Sequence, residues 1–355
     1  MNLQSPTARL RPRQSFRLHA ALPGLLLCLL LAGAAIEFGK IPWFAAHGFS
    51  ALTAAIALGM AVGNSVYRCF APDAGEGVAF SRQMLLRAGI VLYGLRVTLQ
   101  DIGQVGVAGV AIDALVLSST FGLACFIGTR VFKLDRTTAM LIGAGSAICG
   151  AAAVMATEPV LKAHAEKVTV AVSTVVVFGT LAIFVYPALY ALNLHWGVIA
   201  PGGSAFGIYA GSTIHEVAQV VAASRGIGAG AADTAVIAKM VRVMMLAPFL
   251  IALSALRGQA RPDAARPGLA IPWFAFLFVG VVAAHSAFAL PAPWVARAND
   301  LDTLLLAMAM AALGLTTHVS AIRAAGVRPL LLGAVLFAWL IAGGALINRT
   351  IAALM

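Results

Sequence analysis

Apolar runs long enough to cross a bilayer recur along the whole chain, and they constrain its fold more than any other feature. They lie near 18–36, 50–67, 84–99, 105–129, 138–157, 168–192, 205–223, 234–256, 271–290, 303–318 and 329–352. A membrane-spanning helix needs about 20 mostly apolar residues, and 61% of these 355 residues are hydrophobic while only 10% are charged. We therefore predict an all-α polytopic membrane protein with about eleven apolar segments.

The polar remainder is too short for an extramembrane domain. Residues 1–17 carry four arginines and predict a basic cytoplasmic tail, followed by one transmembrane transporter domain over 18–355. The basic head, the apolar run and the small residues at 32–34 also resemble a signal peptide, so cleavage of the first span stays open. The net charge of +11 lies in short gaps, where it sets orientation and does not indicate nucleic-acid binding. The four scattered cysteines predict neither disulfides nor a metal site, and no cofactor is expected.

Counts of Lys and Arg in the gaps predict the orientation. With a cytoplasmic N-terminus and every segment crossing, the cytoplasmic gaps hold 14 and the opposite gaps 6, as the positive-inside rule requires. If 138–157 and 205–223 each enter and leave on one side, nine spans and two re-entrant or broken helices result, and the counts become 16 and 4. Both versions predict a multi-pass protein of the plasma (inner) membrane with its N-terminus in the cytoplasm and its C-terminus outside.

Two segments share a pattern rich in glycine and serine. Gly-Ser-x-Ile occurs at 145–148, inside 138–157, and again at 211–214, inside 205–223, an offset of 66. Such clusters let a membrane helix unwind, which is tolerated where the backbone lines a cavity. Paired broken helices are the usual substrate site of secondary transporters, and close packing of small residues is the alternative. We predict that both segments break and that the breaks approach each other.

A second internal match has a different offset. Residues 85–106 align on 305–326 with Gly106 opposite Gly326, an offset of 220. Two different offsets cannot come from one head-to-tail duplication. We therefore predict internal repeats, whose boundaries and relative orientation stay open.

Three polar residues, His215, Glu216 and Gln219, follow the second Gly-Ser pattern. On a continuous helix His215 and Gln219 share a face, and Glu216 points about 100° away. A single histidine in a span is more often a packing residue, but three polar groups together indicate function. His215 and Glu216 are candidate carriers of a coupled proton, since histidine titrates near neutral pH.

Lys239 and Arg242 lie three positions apart in 234–256, on one helical face. Each costs about 2.5–3.5 kcal/mol at mid-bilayer, so each needs an anion, a carboxylate or water. The structural alternatives are an ion pair with Glu216 or Asp113, and snorkelling to an interface. Two positive charges against few buried carboxylates favour an anionic guest. In that case Lys239→Ala should abolish anion binding and leave the fold intact, and we expect the same of Arg242→Ala.

Five motifs along the chain are specific enough to indicate a family. They read LGMAVGN (58–64), LLRAGIVLYGLRVTL (85–99), GAGSAICGAAAVMA (143–156), AGSTIHEVAQVVAA (210–223) and KMVRVMMLAP (239–248). From about residue 50 onward the chain resembles the YeiH or UPF0324 family, described as proposed sulfate exporters. Ala151 stands where that family often has serine. The resemblance implies the fold of the cation:proton antiporter and anion transporter superfamily, with inverted repeats and crossed, discontinuous helices.

The residues in the matching motifs are the candidate substrate site: Gly145, Ser146, Cys149, Gly150, Gly211, Ser212, Thr213, His215, Glu216, Gln219, Lys239 and Arg242. We expect a secondary transporter that moves a small anion, of the sulfate or sulfonate and organic-anion class, by alternating access. The two helix N-termini, the hydroxyls and at least one of the two cations would donate hydrogen bonds to it.

Several alternatives stay open at this point. A cation:proton or sodium-coupled carrier of the same fold would bind its cation on Glu216, with Lys239 or Arg242 as the counter-ion. A membrane sensor or assembly component without transport is a third reading. The coupling ion of an anion carrier, a proton or sodium, and a homodimer in the bilayer are also open. No enzyme motif occurs in the right context, so we do not expect an enzyme.

Overall fold

Helices account for every regular element in residues 18–41, 50–256, 273–288, 290–317 and 326–354, which the computed structural model describes. The α-helices are α1 (Leu18–Gly39), α2 (Ala51–Asn64), α3 (Tyr67–Phe80), α4 (Leu86–Tyr93), α5 (Leu99–Arg130), α6 (Arg136–Ala147), α7 (Ala151–Leu161), α8 (Ala165–Trp196), α9 (Gly203–Thr213), α10 (Val217–Arg225), α11 (Ala229–Met244), α12 (Leu246–Leu256), α13 (Trp273–Ala287), α14 (Ala292–Thr316) and α15 (Val327–Leu354). The all-α prediction is confirmed for these ranges. The tail predicted for 1–17 lies outside them.

Six stretches of helix in the described ranges are long and apolar enough to cross a membrane. They are His19–Gly39, Val105–Arg130, Ala165–Trp196, Ala229–Leu256, Ala292–Thr316 and Val327–Leu354. The protein is therefore a multi-pass membrane protein. Other helices, including α6, α7, α9 and α10, are too short to span a bilayer singly.

The stretch before residue 84 is helical, although its low hydropathy had placed it in a gap between apolar segments. α3 continues through a π-helical turn at Ser81–Leu85 into α4. Gly24 of α1 and Gly77 of α3 let the two backbones touch, because a Cβ on either would overlap the other helix. Packing thus overrides the polar composition, and Arg82 lies in a helix and not in a loop.

α14 begins at Ala292, well before the apolar segment predicted to start at 303. Its early turns include the buried Asp302, whose Oδ2 lies 2.9 Å from Arg96 Nε and 3.3 Å from Arg225 Nη2. These ion pairs compensate the buried negative charge of Asp302. The charged residues before 303 can therefore be part of the helix.

The helices pack as two layers. α1 to α4, α13 and α14 contact mainly one another, and α5 to α12 with α15 form the second layer. In the first layer, a Cβ on Gly59 of α2 would lie 3.0 Å from the Cα of Gly314 in α14, so these helices need glycine at their crossing.

The match at offset 220 has a structural counterpart. Gly106 and Gly326 both have a positive φ, 45° and 81°, which glycine adopts without strain. Each directly precedes a long helical stretch, the main part of α5 and the whole of α15, and these two helices pack against each other. The two glycines thus occupy similar places, each at the turn before a long helix, as the match at offset 220 predicts.

Candidate functional site

The first Gly-Ser pattern lies in a helical hairpin formed by α6 and α7. The backbone leaves helical geometry at 148–150, where Gly150 has a φ of 64°. Asp135 caps the start of α6, and its Oδ1 lies 2.6 Å from Nζ of Lys167, which follows α7. The chain therefore returns to the place where the hairpin began.

The second Gly-Ser pattern lies in a matching hairpin formed by α9 and α10, broken at 214–216. Thr234 Oγ1 in α11 donates to the carbonyl of Ser204 in α9 at 2.9 Å. Because α11 directly follows α10, the two ends of this hairpin are also neighbours. The Ala151 N–H at the first break donates to Glu216 Oε1 at the second, at 3.1 Å. The prediction that both segments break and approach each other is confirmed.

Lys239 joins the two breaks. Its fully buried Nζ donates to the carbonyl oxygens of Ile148 at 2.8 Å and Ile214 at 2.6 Å. These carbonyls belong to residues that directly follow α6 and α9, so neither has a partner in a following helical turn. A cation at that place also offsets the negative end of each helix dipole.

Arg242, one helical turn further along α11, binds the same two helix ends. Its Nε donates to the carbonyl of Ala147 at 2.7 Å, its Nη2 to that of Ser146 at 2.9 Å, and its Nη1 to that of Ser212. All three nitrogens of the guanidinium are thus used on backbone carbonyls. Because Arg242 is fully buried, these bonds form away from water.

Glu216 lies at the opposite, N-terminal helix ends. It is the N-cap residue of α10, and its carboxylate accepts the N–H of Ala151, the first residue of α7. The Glu216 carboxylate therefore lies at the positive, N-terminal ends of α7 and α10. Lys239 and Arg242 lie at the negative, C-terminal ends of α6 and α9. A Cβ on Gly150 would lie 2.6 Å from Glu216 Oε1, so Gly150 leaves the room that the carboxylate occupies.

The ion pairs that the sequence allowed for Lys239 and Arg242 are not formed between described residues. Asp113 of α5 is fully buried, and neither of its oxygens has a hydrogen-bond partner in the described ranges. It interacts electrostatically with both cations, and Glu216 does so with Lys239. Two carboxyl groups thus lie close enough to these cations to interact with them.

His215 and Gln219 do not share a helical face, because α10 begins only at Val217 and His215 lies in the break. His215 is buried, and its Nδ1 has no partner among the described residues. The Gln219 side chain accepts the Glu216 N–H at 3.1 Å and packs against Gly179 of α8. The shared face predicted for these two residues was wrong because Gly-Ser-Thr shows where a helix can open but not where it resumes.

Two of the three hydroxyl groups expected to donate to a guest are used locally. Ser212 Oγ and Thr213 Oγ1 both donate to the carbonyl of Tyr209, one turn back in α9. Ser146 contributes its carbonyl to Arg242. Gly211 serves close packing, since a Cβ there would overlap α11.

Gly145 packs against the other arm of its own hairpin: a Cβ on it would lie 2.7 Å from a methyl group of Val154. For Gly145, as for Gly211, close packing of small residues therefore explains the glycine. Cys149 lies in the break itself and is buried.

A cavity of about 650 Å³ lies between the two layers and reaches the broken hairpins. Its lining includes Cys149, Ala151 and Glu216 from the breaks, and Arg82 and Arg87 from the first layer. Arg82 Nη1 lies 3.4 Å from Thr316 Oγ1. The hydropathy pattern places Arg82 in a gap between apolar segments and gives no sign that Arg87 lines a cavity.

These features define a polytopic helical membrane protein in which two hairpins meet, through their broken turns, at buried charges. A family model described as conserved hypothetical protein 698 matches residues 23–333. The chain belongs to the UPF0324 family of membrane proteins, as its motifs had indicated.

Three relatives illustrate the match. A UPF0324 membrane protein of Pseudomonas aeruginosa is 61% identical over 332 residues, covering 92% of this chain and 94% of that protein. The UPF0324 inner membrane protein YeiH of Escherichia coli K12 is 57% identical over 332 residues, with 93% and 94% covered. A UPF0324 membrane protein of Yersinia pestis is 56% identical over 343 residues, with 95% of each chain covered. No solved structure matches the chain.

Proposed function

We propose that this protein is a secondary transporter that moves a small anion across the inner membrane by alternating access. The observation that carries the proposal is the meeting of two broken hairpins beside a cavity between two layers. Non-helical backbone inside a membrane protein is tolerated where it lines a cavity. Paired discontinuous helices of this kind form the substrate sites of secondary transporters.

In the membrane, we propose nine crossing segments and two re-entrant hairpins, α6 with α7 and α9 with α10. The neighbouring ends of each hairpin support this arrangement. It gives the larger charge asymmetry, 16 against 4, with the N-terminus in the cytoplasm and the C-terminus outside. The antiporter-like superfamily fold, with its inverted repeats, is consistent with two hairpins that open from opposite sides.

The place for the anion differs from the one that the sequence suggested. Lys239 and Arg242 are engaged with carbonyls, so they are poor donors to a guest. The cavity wall instead includes Arg82 and Arg87, together with Ala151 at the N-terminal end of α7 and the carboxylate of Glu216. Two guanidinium groups and a helix N-terminus favour an anion, because each supplies N–H donors and positive charge.

Glu216 would couple the anion to a proton. Its carboxylate already occupies the N-terminus of α7, the place that a bound anion would take. Protonation removes that negative charge, so anion and proton would bind together. The sulfate or sulfonate and organic-anion class fits the donors of the cavity, and we propose a substrate from that class.

A ligand screen on the purified protein tests the proposal. Potassium salts of sulfate, of small sulfonates and of small dicarboxylates are added, and the apparent melting temperature is measured. A ligand that binds only the folded state raises this temperature. We expect at least one anion to stabilise the wild type and Arg349→Ala, which changes an exposed residue of α15, but not Arg82→Ala. If an anion raises the melting temperature of Arg82→Ala as much as that of the wild type, the anion binds at another place. If no anion raises the melting temperature of the wild type, the proposal is contradicted.

A cation:proton carrier is the second candidate, and the position of Glu216 on the cavity wall favours it. Proteoliposomes distinguish the two candidates. Proton movement driven by an alkali-cation gradient and unaffected by external anions would identify the cation carrier. Proton movement that requires the stabilising anion would identify the anion carrier.

A further inference from the structure

The two carbonyl oxygens that bind Lys239 have the chemistry of an alkali-cation site. They follow the C-terminal ends of α6 and α9, on backbone that has left the helix. In transporters with discontinuous helices, such unwound carbonyls and C-terminal helix ends coordinate sodium. Here the ammonium of Lys239 takes that place, 2.8 Å and 2.6 Å from the two oxygens.

The surroundings of Lys239 would hold a free cation as they hold the ammonium. Asp113 and Glu216 both interact electrostatically with Lys239, so removing the ammonium takes away a positive charge that faces these two carboxyl groups. Arg242 cannot take over, because its three nitrogens are bound to other carbonyls. A small cation bound there would restore the positive charge and would again give the carbonyl oxygens of Ile148 and Ile214 a partner.

We propose that Lys239 is a built-in occupant of a monovalent-cation site, and that Na⁺ binds between the Ile148 and Ile214 carbonyls when this side chain is shortened. An ammonium is a compact point charge, as Na⁺ is, and both are ligated by oxygen. In the native chain the ammonium of Lys239 already occupies this site, so sodium is not needed there. The inference concerns binding, so it does not depend on the proposed transport activity.

Two substitutions of the same lysine test the inference in the full-length protein. Lys239→Ala removes the charge and vacates its space. Lys239→Met removes the charge but keeps an unbranched chain of similar length in the space. Each is extracted in detergent, in sodium chloride or in N-methyl-D-glucamine chloride at equal concentration. The folded fraction is measured by size-exclusion chromatography, and the apparent melting temperature by a thermal ramp.

We expect Lys239→Ala to melt below the wild type in N-methyl-D-glucamine chloride, and sodium to raise its melting temperature by about 3 °C or more in a saturable way. Lys239→Met should be destabilised without recovering in sodium. The wild type and Lys167→Ala, which removes a partly exposed lysine of α8 that is paired with Asp135 and far from the two carbonyls in sequence, should not distinguish the two salts.

Three results would overturn the proposal. The first is a folded Lys239→Ala that melts at the same temperature in both salts. The second is a sodium response of equal size in Lys239→Met, because sodium would then act at another place. The third is a Lys239→Ala that gives no folded peak in either salt, because a cation that fills the site should rescue the fold.

Discussion

The carbonyl oxygens of Ser146 and Ser212 accept hydrogen bonds from one guanidinium, that of Arg242. The two serines are 66 positions apart, and the same offset relates Ile148 to Ile214, whose carbonyls share the ammonium of Lys239. Equivalent positions of a sequence repeat thus bind the same cation from two sides. The repeat therefore acts through backbone oxygens, and the serine hydroxyl groups are not part of it.

Arg242 should contribute strongly to the stability of the fold. Arg242→Met leaves three buried carbonyl groups without their donor, and each such loss costs about 1–3 kcal/mol. We expect the apparent melting temperature in detergent to fall by about 5 °C or more. Arg349→Met on the exposed face of α15 is the control and should change it little. This expectation reverses the one from the sequence, and near-normal melting of Arg242→Met would restore the earlier view.

Gly150→Ala should displace the carboxylate of Glu216. Gly150 has a φ of 64° and a ψ of −134°, a conformation that costs a side chain about 1–3 kcal/mol, and the new Cβ would collide with Glu216. We expect lower thermal stability and a changed response to anions. Gly33→Ala in α1 is the matched control, because its Cβ meets nothing within 4 Å and alanine favours a helix by about 0.5–1 kcal/mol. Equal melting temperatures of the two variants would show that the Glu216 side chain can move aside without loss of stability.

Glu216→Gln should keep the fold and remove the proton coupling. The amide oxygen can still accept the Ala151 N–H, but the side chain no longer titrates. Anion binding, measured by thermal shift between pH 5 and pH 8 in roughly unit steps, should depend on pH in the wild type and in Glu166→Gln. It should not depend on pH in Glu216→Gln. A retained pH dependence in that variant would assign the proton to another group.

The hairpin arrangement predicts which loops share a side of the membrane. In a cysteine-free background, cysteines at Lys133 and Lys162 flank the first hairpin and should react with an impermeant thiol reagent from the same side. A cysteine at Gly197, after α8, should react from the opposite side. Labelling of positions 133 and 162 from opposite sides would mean that the segment crosses fully. A reporter fused after Met355 should be active only outside the cytoplasm.

Asp135 should make stability depend on acid. Partial burial raises the pKa of its carboxyl, but hydrogen bonds from Lys167 and Thr138 outweigh burial and leave the pKa lowered. The ionised form therefore stabilises the fold above a pH of about 4 and loses this effect as the pH falls through the lowered pKa. Asp135→Asn keeps a capping residue, and it should be less stable than the wild type by up to about 1 kcal/mol at neutral pH. Thermal melts of the two proteins should converge as the pH falls below the lowered pKa of Asp135, and a constant difference would argue against the ion pair.

The sequence was enough to locate the two breaks, because Gly-Ser-x-Ile repeats at a fixed offset and glycine is the residue that lets a helix open. It also identified the two buried cations, since Lys239 and Arg242 are conspicuous in an apolar segment. It could not identify their partners. Carbonyl groups are present at every residue, and which of them lose their helical partners depends on where α6 and α9 end.

The position of Arg82, in contrast, could not be predicted from the sequence. Its neighbours in α3 have low hydropathy, so the pattern placed it in a loop. The structure places it in a π-helical turn on the cavity wall, because glycines in α1 and α3 allow close packing. Close approach of two helices depends on their relative positions, which a single segment does not encode.

Lys239 and Arg242 each bind both hairpins, and this has a mechanical consequence. Separating the hairpin tips would take the donors away from the carbonyls of at least one tip, which are those of Ser146, Ala147 and Ile148 in the first hairpin and of Ser212 and Ile214 in the second. The two tips are therefore held together by shared donors. If the protein transports as proposed, we expect the two tips to move as one unit, and the cavity to change sides by a movement of both hairpins together against the layer of α1 to α4, α13 and α14.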